Sequence, residues 1–589
     1  MARPVRSNQA IKGEPRSVGT AHARDPLARE VRLLGALLGQ VIAEQEGPAA
    51  LDLVERVRGR SIALRRGRDP ADRSAVDAEL AALDLASLEV LARSFNTFFQ
   101  LANLAEEKER VRTLRRRERA VGRAPLGGSL AEAVVRLGDA GIGEAELGAR
   151  VGSLVLSPVL TAHPTEARRQ TVLLALRRIY GLLDALDDPR LTPAGDAELR
   201  RRLREEITVL WRTADLRQER PTPLDEVRSA MVFFDITIFD ATPQVYRRLD
   251  AAMDRRRVGR PARAAAADAG RTGTRPPGVP AFLRWGSWIG GDRDGHPFVT
   301  AETMVEALRI HADHVLTAYA ASAARLTIEV AARPRGGTTP PAIARRLLAD
   351  TDALPETMRE LEERFPREPY RRRLGAIAER LRRTRTQLMG VPGPQAGRYS
   401  EPGELIAELS EIRDALVDDG LGRIAFGALQ ALRWQVETFG FHLASLEVRQ
   451  HSGVHRAARA ALSEPAKGPE TEVSPGVSAG EVLATFRAMT AAQRRFGEAA
   501  CRRYVISFTE RPDDVWDVLA LAALAGDPAI PAAATSGFPP GVPALDVVPL
   551  FETAEALEGA QAIFGALIAD PGYRLHLEKR GNRQEVMLG

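Results

Sequence analysis

The chain has 589 residues, 44% of them hydrophobic, which is enough to bury a large core and admits either several domains or one large domain with insertions. A formal net charge of +5 over that length is too slight to argue for a nucleic-acid partner, and no apolar run reaches membrane-spanning length, since even residues 518–525 are broken at Gly526-Asp527-Pro528. The single cysteine, Cys501, excludes an intrachain disulfide and favours a reducing, cytoplasmic compartment.

Residues 1–25 carry several arginines, few acids and no apolar core of a secretory signal, so they read as a disordered N-terminal tail, with residues 26–589 as one large domain. Leu80, Leu83, Leu88, Leu91, Phe95 and Phe98 fall on one face of a long amphipathic helix whose charged continuation, 106–119, is expected to be exposed. Leu154-Val155-Leu156 and Val159-Leu160 read as a short, fully buried strand. After them, Val172, Leu173, Leu176, Ile179 and Leu183 recur at helical spacing. Between the two, Pro164 bars helix through His163, while Thr165 and Glu166 suit a first turn whose free N–H groups attract anions. His163 is therefore placed to meet an anionic ligand; the competing reading is a histidine capping a buried loop.

The pattern of an apolar run ending in polar residues recurs down the chain. Residues 282–289 run into Gly290-Gly291-Asp292-Arg293-Asp294-Gly295, and 439–448 alternate in strand fashion up to Arg449-Gln450. Residues 504–508 end at Thr509-Glu510-Arg511, 545–551 end at Glu552-Thr553, and a sixth strand begins at Gln584. Strands with polar C-terminal ends, separated by helical stretches, predict a mostly helical chain around a (β/α) barrel whose site sits on that end. Such a barrel closes with eight strands, so this one is expected to be incomplete. Segments 258–280, 333–341, 390–403, 464–480 and 532–543 are rich in Gly, Pro, Ala or Ser and read as loops inserted into one fold. His451 and His455, at i and i+4, have the spacing of a zinc pair, but no third ligand lies near them in sequence.

Leu160-Thr161-Ala162-His163-Pro164-Thr165-Glu166 and Gly286-Ser287-Trp288-Ile289-Gly290-Gly291-Asp292-Arg293-Asp294-Gly295 resemble the two hallmark motifs of the phosphoenolpyruvate carboxylase family. Weaker similarity, in the family's order, covers residues 98–107, 221–226, 447–450 and 548–553, and the resemblance runs from about Leu27 to the last residue. It implies a mostly α fold with an incomplete (β/α)8 TIM-type barrel, and a lyase that forms oxaloacetate and phosphate from phosphoenolpyruvate and bicarbonate with Mg²⁺ or Mn²⁺, in anaplerotic carbon dioxide fixation. It also implies a homo-oligomer, a tetramer in the family, with neither nucleic acid nor membrane as partner. His163 matches the catalytic histidine, which takes the proton from carboxyphosphate. Arg449 matches an arginine, catalytic and substrate-binding, that is directed at the phosphate. Glu552 matches one of two metal-holding carboxylates, Trp288 a tryptophan near the bicarbonate pocket, and Arg293 serves as a substrate anion contact. The competing readings are a strand-end salt bridge for Arg449, a structural ion pair for Glu552 and plain core for Trp288. Where His451 stands, many family members carry an acidic residue.

The last residues, Val586-Met587-Leu588-Gly589, look like the strand that in the family leads into a loop bearing the second metal carboxylate and a lysine. The resemblance thus implies an N-terminal part of the enzyme, inactive by itself. The alternatives are a non-catalytic helical scaffold, or one half of a split enzyme completed by a C-terminal chain.

Overall fold

The computed structural model describes residues 25–67, 70–122, 124–161, 170–213, 221–257, 273–527, 539 and 541–589. The expected N-terminal tail, His163, and most of the 258–280 and 532–543 segments lie outside these residues. The chain divides into two compact units, residues 1–126 with 166–220, and residues 127–165 with 221–589.

The first unit is helical. Its helices span Pro26–Glu46, Pro48–Gly67, Pro70–Ala81, Leu85–Val121, Gln170–Ala185 and Pro193–Arg212. Four of the six begin with proline, whose missing N–H costs nothing in a first turn. Leu37, Val41, Leu101, Ile179, Leu203 and Ile207 form the centre of its core. The single long helix expected through Leu80 and Phe98 is two helices, because Asp84 caps a new one, accepting from the Ser87 N–H at 2.9 Å. Leu80, Leu83 and Phe95 pack around Leu53, Val54, Val57 and Leu91, whereas Leu88 faces outward. The charged continuation is not uniformly exposed either. Lys108 is buried, because Glu30 at 2.8 Å and Asp187 at 2.9 Å neutralise its ammonium.

In the second unit the strands are short and helices dominate. Strand β1 is Val159–Leu160, β2 Gly286–Ser287, β3 Ser445–Leu446, β4 Val448–His451, β5 Glu472–Ser474, β6 Val477–Ser478, β7 Arg503–Ser507, β8 Asp546–Phe551 and β9 Met587–Leu588. All pairings except the β5–β6 hairpin are parallel, in the orders β1-β2-β3 and β4-β7-β8-β9. Glu447 alone separates β3 from β4, and its N–H donates to the Ser287 carbonyl at 2.9 Å, so segment 445–451 is paired on one edge with 285–293 and on the other with β7.

Side chains alternate across this strand. Leu446 and Val448 join Tyr504, Ile506, Val547 and Phe551 in the main core with the helices. Val505, Val548, Leu550 and Met587 form a separate apolar cluster on the opposite face. By the parallel register, Arg449 beside Val505 and His451 beside Ser507 share that second face.

Three sequence expectations need correction. The strand expected at 439–448 begins only at Ser445: Phe439 ends the Ala428–Phe439 helix, and Gly440 (φ 52°) and Leu443 (φ 61°) turn the chain through left-handed backbone before it extends. Leu154-Val155-Leu156 is not a buried strand; Val155 and Leu156 are exposed, and only Leu156 is bridged, to Leu283. The 464–480 loop contains the β5–β6 hairpin.

The Ala301–Glu329 helix starts at its cap Thr300 and carries Ala307, Leu308, Ala312, Val315, Leu316 and Tyr319 fully buried. Small alanines let the Pro369–Leu388 helix pack closely along it. On that second helix Arg373, 1% exposed, pairs with Asp350 and with Glu408, the latter at 2.8 Å, and Glu408 also accepts from Tyr399 Oη at 2.9 Å. Truncating the guanidinium strands the buried Asp350 carboxylate and removes one partner of Glu408, which keeps Arg380 and Tyr399, so Arg373→Met is expected to lower stability by about 3 kcal/mol. Urea denaturation followed by circular dichroism measures it, and a loss below about 1 kcal/mol would show that water or rearrangement relieves the charges.

Candidate active site

Segment 285–293 lies along 445–449 with little room between them. The Arg449 N–H donates to the Gly291 carbonyl at 3.1 Å, and the Arg293 N–H to the Arg449 carbonyl at 2.8 Å. A Cβ on Gly291 would sit 2.4 Å from the Glu447 carbonyl oxygen, and one on Gly286 would sit 2.9 Å from Glu447 Oε1. Gly290 turns the chain at φ 85°, which a side chain resists. The glycines of this motif therefore allow the charged loop that follows to reach the end of β4.

Three successive charged residues of that loop take three partners. Asp292 binds the fork of Arg449, Oδ1 to Nε at 2.8 Å and Oδ2 to Nη2 at 2.7 Å. Arg293, 4% exposed, turns away to donate to Glu481 Oε1 at 3.0 Å and to Thr485, tying the loop to the Ala479–Phe496 helix. Asp294 accepts from Ser507 Oγ at the end of β7, at 2.7 Å.

Arg449 also lies over Trp288, its guanidinium carbon 4.6 Å from the ring centroid. The indole N–H of Trp288 donates to Glu447 Oε2 at 2.7 Å. Partial burial disfavours the charged guanidinium, but the bond to Asp292 and the negative charges of Asp292, Asp294 and Glu552 more than offset it, and the pKa of Arg449 is raised. It is a permanent cation. Burial also raises the pKa of Glu447, against the opposing pull of the Trp288 bond and of Arg503.

Glu552, just past β8, accepts from the Phe508 N–H at 2.9 Å. Phe508 sits at φ 53°, a conformation that non-glycine residues rarely hold, and its carbonyl accepts from Ser452 Oγ at 2.7 Å. The His451 ring stacks on Phe508 at 4.7 Å, and its Nδ1 accepts from the Gly453 N–H at 2.9 Å, so the neutral imidazole carries its proton on Nε2.

Trp288, Arg449 and the Asp292 loop thus come together as one contact set, with Glu552 close enough for its charge to act on Arg449. Arg293 is taken up by the helix instead, and His163 lies outside the described residues. The spacing of His451 and His455 does not bring them to one site. His455 is fully buried against Tyr504 Oη at 2.9 Å, with its pKa pushed down to about 3 by burial, and no group of three or more His, Cys, Asp or Glu among the described residues is arranged to hold a metal ion. Sequence reasoning gives Glu447 no role, and it reads Asp292 only as part of a fixed loop near the site, without its partner Arg449. The signal for Glu447 was the period of two, which sets it on the strand face of Arg449.

The sequence profile described as phosphoenolpyruvate carboxylase matches residues 27–471 and 464–589. The chain belongs to the phosphoenolpyruvate carboxylase family. Phosphoenolpyruvate carboxylases of Rhodopseudomonas palustris, Aromatoleum aromaticum and Ralstonia nicotianae are 34%, 36% and 36% identical to it, over 99%, 96% and 98% of this chain. The chain spans 62%, 62% and 59% of the length of these three relatives. The mostly helical fold with a few parallel strands is consistent with the phosphoenolpyruvate carboxylase family. No helix among the described residues is long and apolar enough to cross a membrane.

Two measurements probe this geometry. Gly291→Ala drives a methyl into the Glu447 carbonyl and is expected to cost about 2 kcal/mol or more, whereas Gly468→Ala, with open space around it, should stay within about 0.5 kcal/mol; equal urea midpoints for the two would refute the close approach. His455 has a folded pKa below its ordinary value, so the unfolded chain takes up a proton that the folded one refuses. Stability is then unaffected well above pH 6.5 and falls as pH drops from there toward about 3, at roughly 1.4 kcal/mol per pH unit from this residue. His455→Gln should flatten the decline in unfolding free energy between pH 6.5 and 5, and an unchanged slope would mean that His455 protonates in the fold.

Proposed function

We propose that this chain carries an active site for joining phosphoenolpyruvate and bicarbonate into oxaloacetate and phosphate. The observation that supports it best is Arg449, a permanent cation seated on Trp288 and held along one edge by Asp292, in the second half of the parallel-paired segment 445–451. Asp292 uses the Nε and Nη2 donors, which leaves Nη1 to meet a phosphate oxygen. A scaffold has no need of that arrangement, and the named relatives favour the enzyme. In this reading the parallel strands are consecutive staves of a (β/α)8 barrel, each paired with the next in chain order.

The chemistry follows from the roles that the family match supports. An oxygen of bicarbonate attacks phosphorus as the bond to the enol oxygen breaks, leaving carboxyphosphate and the enolate of pyruvate. Arg449 holds the phosphate oxygens, and its charge offsets that of the incoming oxygen. His163 takes the proton of carboxyphosphate, which then splits into carbon dioxide and phosphate, and the enolate carbon captures the carbon dioxide. Trp288 keeps water from one side of Arg449. Glu552 offers a hard carboxylate oxygen suited to Mg²⁺ or Mn²⁺, which commonly bind through one or two carboxylates with substrate oxygens and water. Such an ion, when bound, supplies positive charge against the enolate and phosphate oxygens. Arg293 serves by fixing the loop that carries Asp292. We read the enzyme as cytoplasmic and as a homotetramer, as the family implies.

Calorimetric titration of the 589-residue chain with phosphoenolpyruvate and Mg²⁺ tests the reading. Binding that inorganic phosphate competes away, and that Arg449→Met weakens by about 30-fold, is expected from the loss of charge-assisted bonds. Equal affinity in Arg449→Met would sink the assignment, and so would failure of the natural polypeptide that carries these residues to form oxaloacetate.

A further inference from the structure

We infer that Glu447 is a positioning residue for the anion-binding arginine, acting through Trp288; the inference rests on the reading of Arg449 as the phosphate contact. Glu447 is 2% exposed, an uncommon place for a carboxylate. Its Oε2 accepts the Trp288 indole N–H at 2.7 Å, and the nearest cation, Arg503 Nη1, stands 3.8 Å from Oε1 and donates its own Nε to Glu585 at 2.7 Å. Glu447 is thus committed to the indole rather than to a close salt bridge.

Two glycines of the Gly286–Gly291 segment exist, in steric terms, to admit this residue. A Cβ at 286 would meet its carboxylate and one at 291 its carbonyl. Val159 Cγ2 stands 3.1 Å from the same Cβ position at 286, so β1 closes that side. The missing side chain at 286 therefore leaves the carboxylate room to reach the indole. With the N–H pinned, the ring plane of Trp288 is set, and so is the face over which the guanidinium carbon of Arg449 lies at 4.6 Å. Asp292 fixes one edge of that guanidinium, and its face rests on Trp288. The remaining Nη1 then has one direction in which to meet an anion. An acceptor held against the indole N–H also pushes electron density into the ring, which strengthens its attraction for the cation above.

The test separates positioning from mere packing. The chain has five tryptophans, so fluorotryptophan labelling yields five fluorine resonances, and Trp288→Phe assigns the relevant one. In the wild-type background Arg449→Met should shift the Trp288 resonance, because a cation leaves the ring face. In Glu447→Leu that shift should shrink to less than about half, and in Glu447→Gln, which keeps an acceptor, it should return. The affinity for phosphoenolpyruvate should fall about tenfold in Glu447→Leu and stay within about twofold of wild type in Glu447→Gln. Far-ultraviolet circular dichroism and the melting temperature establish that the Leu variant is folded; if it is not, the Gln variant and Trp288→Phe, which lacks the N–H, carry the comparison, and Trp288→Phe must weaken binding where Gln does not. An Arg449→Met shift as large in Glu447→Leu as in wild type overturns the inference, as does full affinity in Trp288→Phe. Absence of phosphoenolpyruvate binding in the wild type would instead refute the functional reading, while the ligand-free shifts still decide the role of Glu447.

Discussion

The two-sided pairing of segment 445–451 is the constraint on which the rest of the second unit depends. A strand hydrogen-bonded on both edges cannot slip by one residue without breaking both ladders, and a slip of one would exchange its faces. Leu446 and Val448 would leave the helical core, and Glu447 and Arg449 would enter it. The cost of burying those charges among Tyr504, Ile506 and Phe551 keeps the register where it is. Core packing and site chemistry are thus held by the same backbone bonds.

Three arginines of this unit meet carboxylates supplied from elsewhere in the fold. Arg373 lies between Asp350 and Glu408, Arg293 reaches Glu481, and Arg449 reaches Asp292. The difference lies in what each arrangement leaves over. Arg373 is enclosed and takes a carboxylate on each side, and its remaining Nε is buried where no ligand reaches it. Arg449 is one-fifth exposed, meets one carboxylate along one edge and an aromatic ring on one face, and retains a donor. The same residue type, with the same charge and two donor nitrogens engaged in each case, is structural in one place and available in the other because one is enclosed and the other is partly exposed.

Much of the site end was legible in the sequence because strand ends announce themselves. Val159, Gly286, Arg449, Ser507 and Glu552 lie at or beside the strands expected from apolar runs, and the parallel order follows the chain. The failures have physical causes. Residues 439–443 alternate like a strand, but Gly440 and Leu443 adopt left-handed backbone, which alternation cannot reveal. The stripe from Leu80 to Phe98 keeps helical spacing in sequence across a break that the cap Asp84 creates, and Leu88 on it faces outward. The pairing of Arg293 with Glu481, 188 positions away, is likewise one that no local pattern reports. Glu447 was overlooked for the opposite reason: its neighbours Leu446 and Val448 made the whole stretch look like core.

What distinguishes Arg449 from a surface arginine is how little freedom remains to it. Backbone bonds run from its N–H to Gly291 and from Arg293 to its carbonyl, Asp292 takes two donors of its fork, and Trp288 fills one face. A free arginine side chain gives up as much as about 2 kcal/mol of rotamer entropy when a ligand orders it. Here that loss is incurred in folding, so an anion that arrives meets a donor already aimed. The compensation is visible nearby, where Phe508 is held in a strained backbone conformation by Glu552, Ser452 and the stacked His451. Order at the arginine and strain at the phenylalanine are two sides of one arrangement, in which strand ends fixed by the core hold side chains in conformations that an isolated loop would not keep.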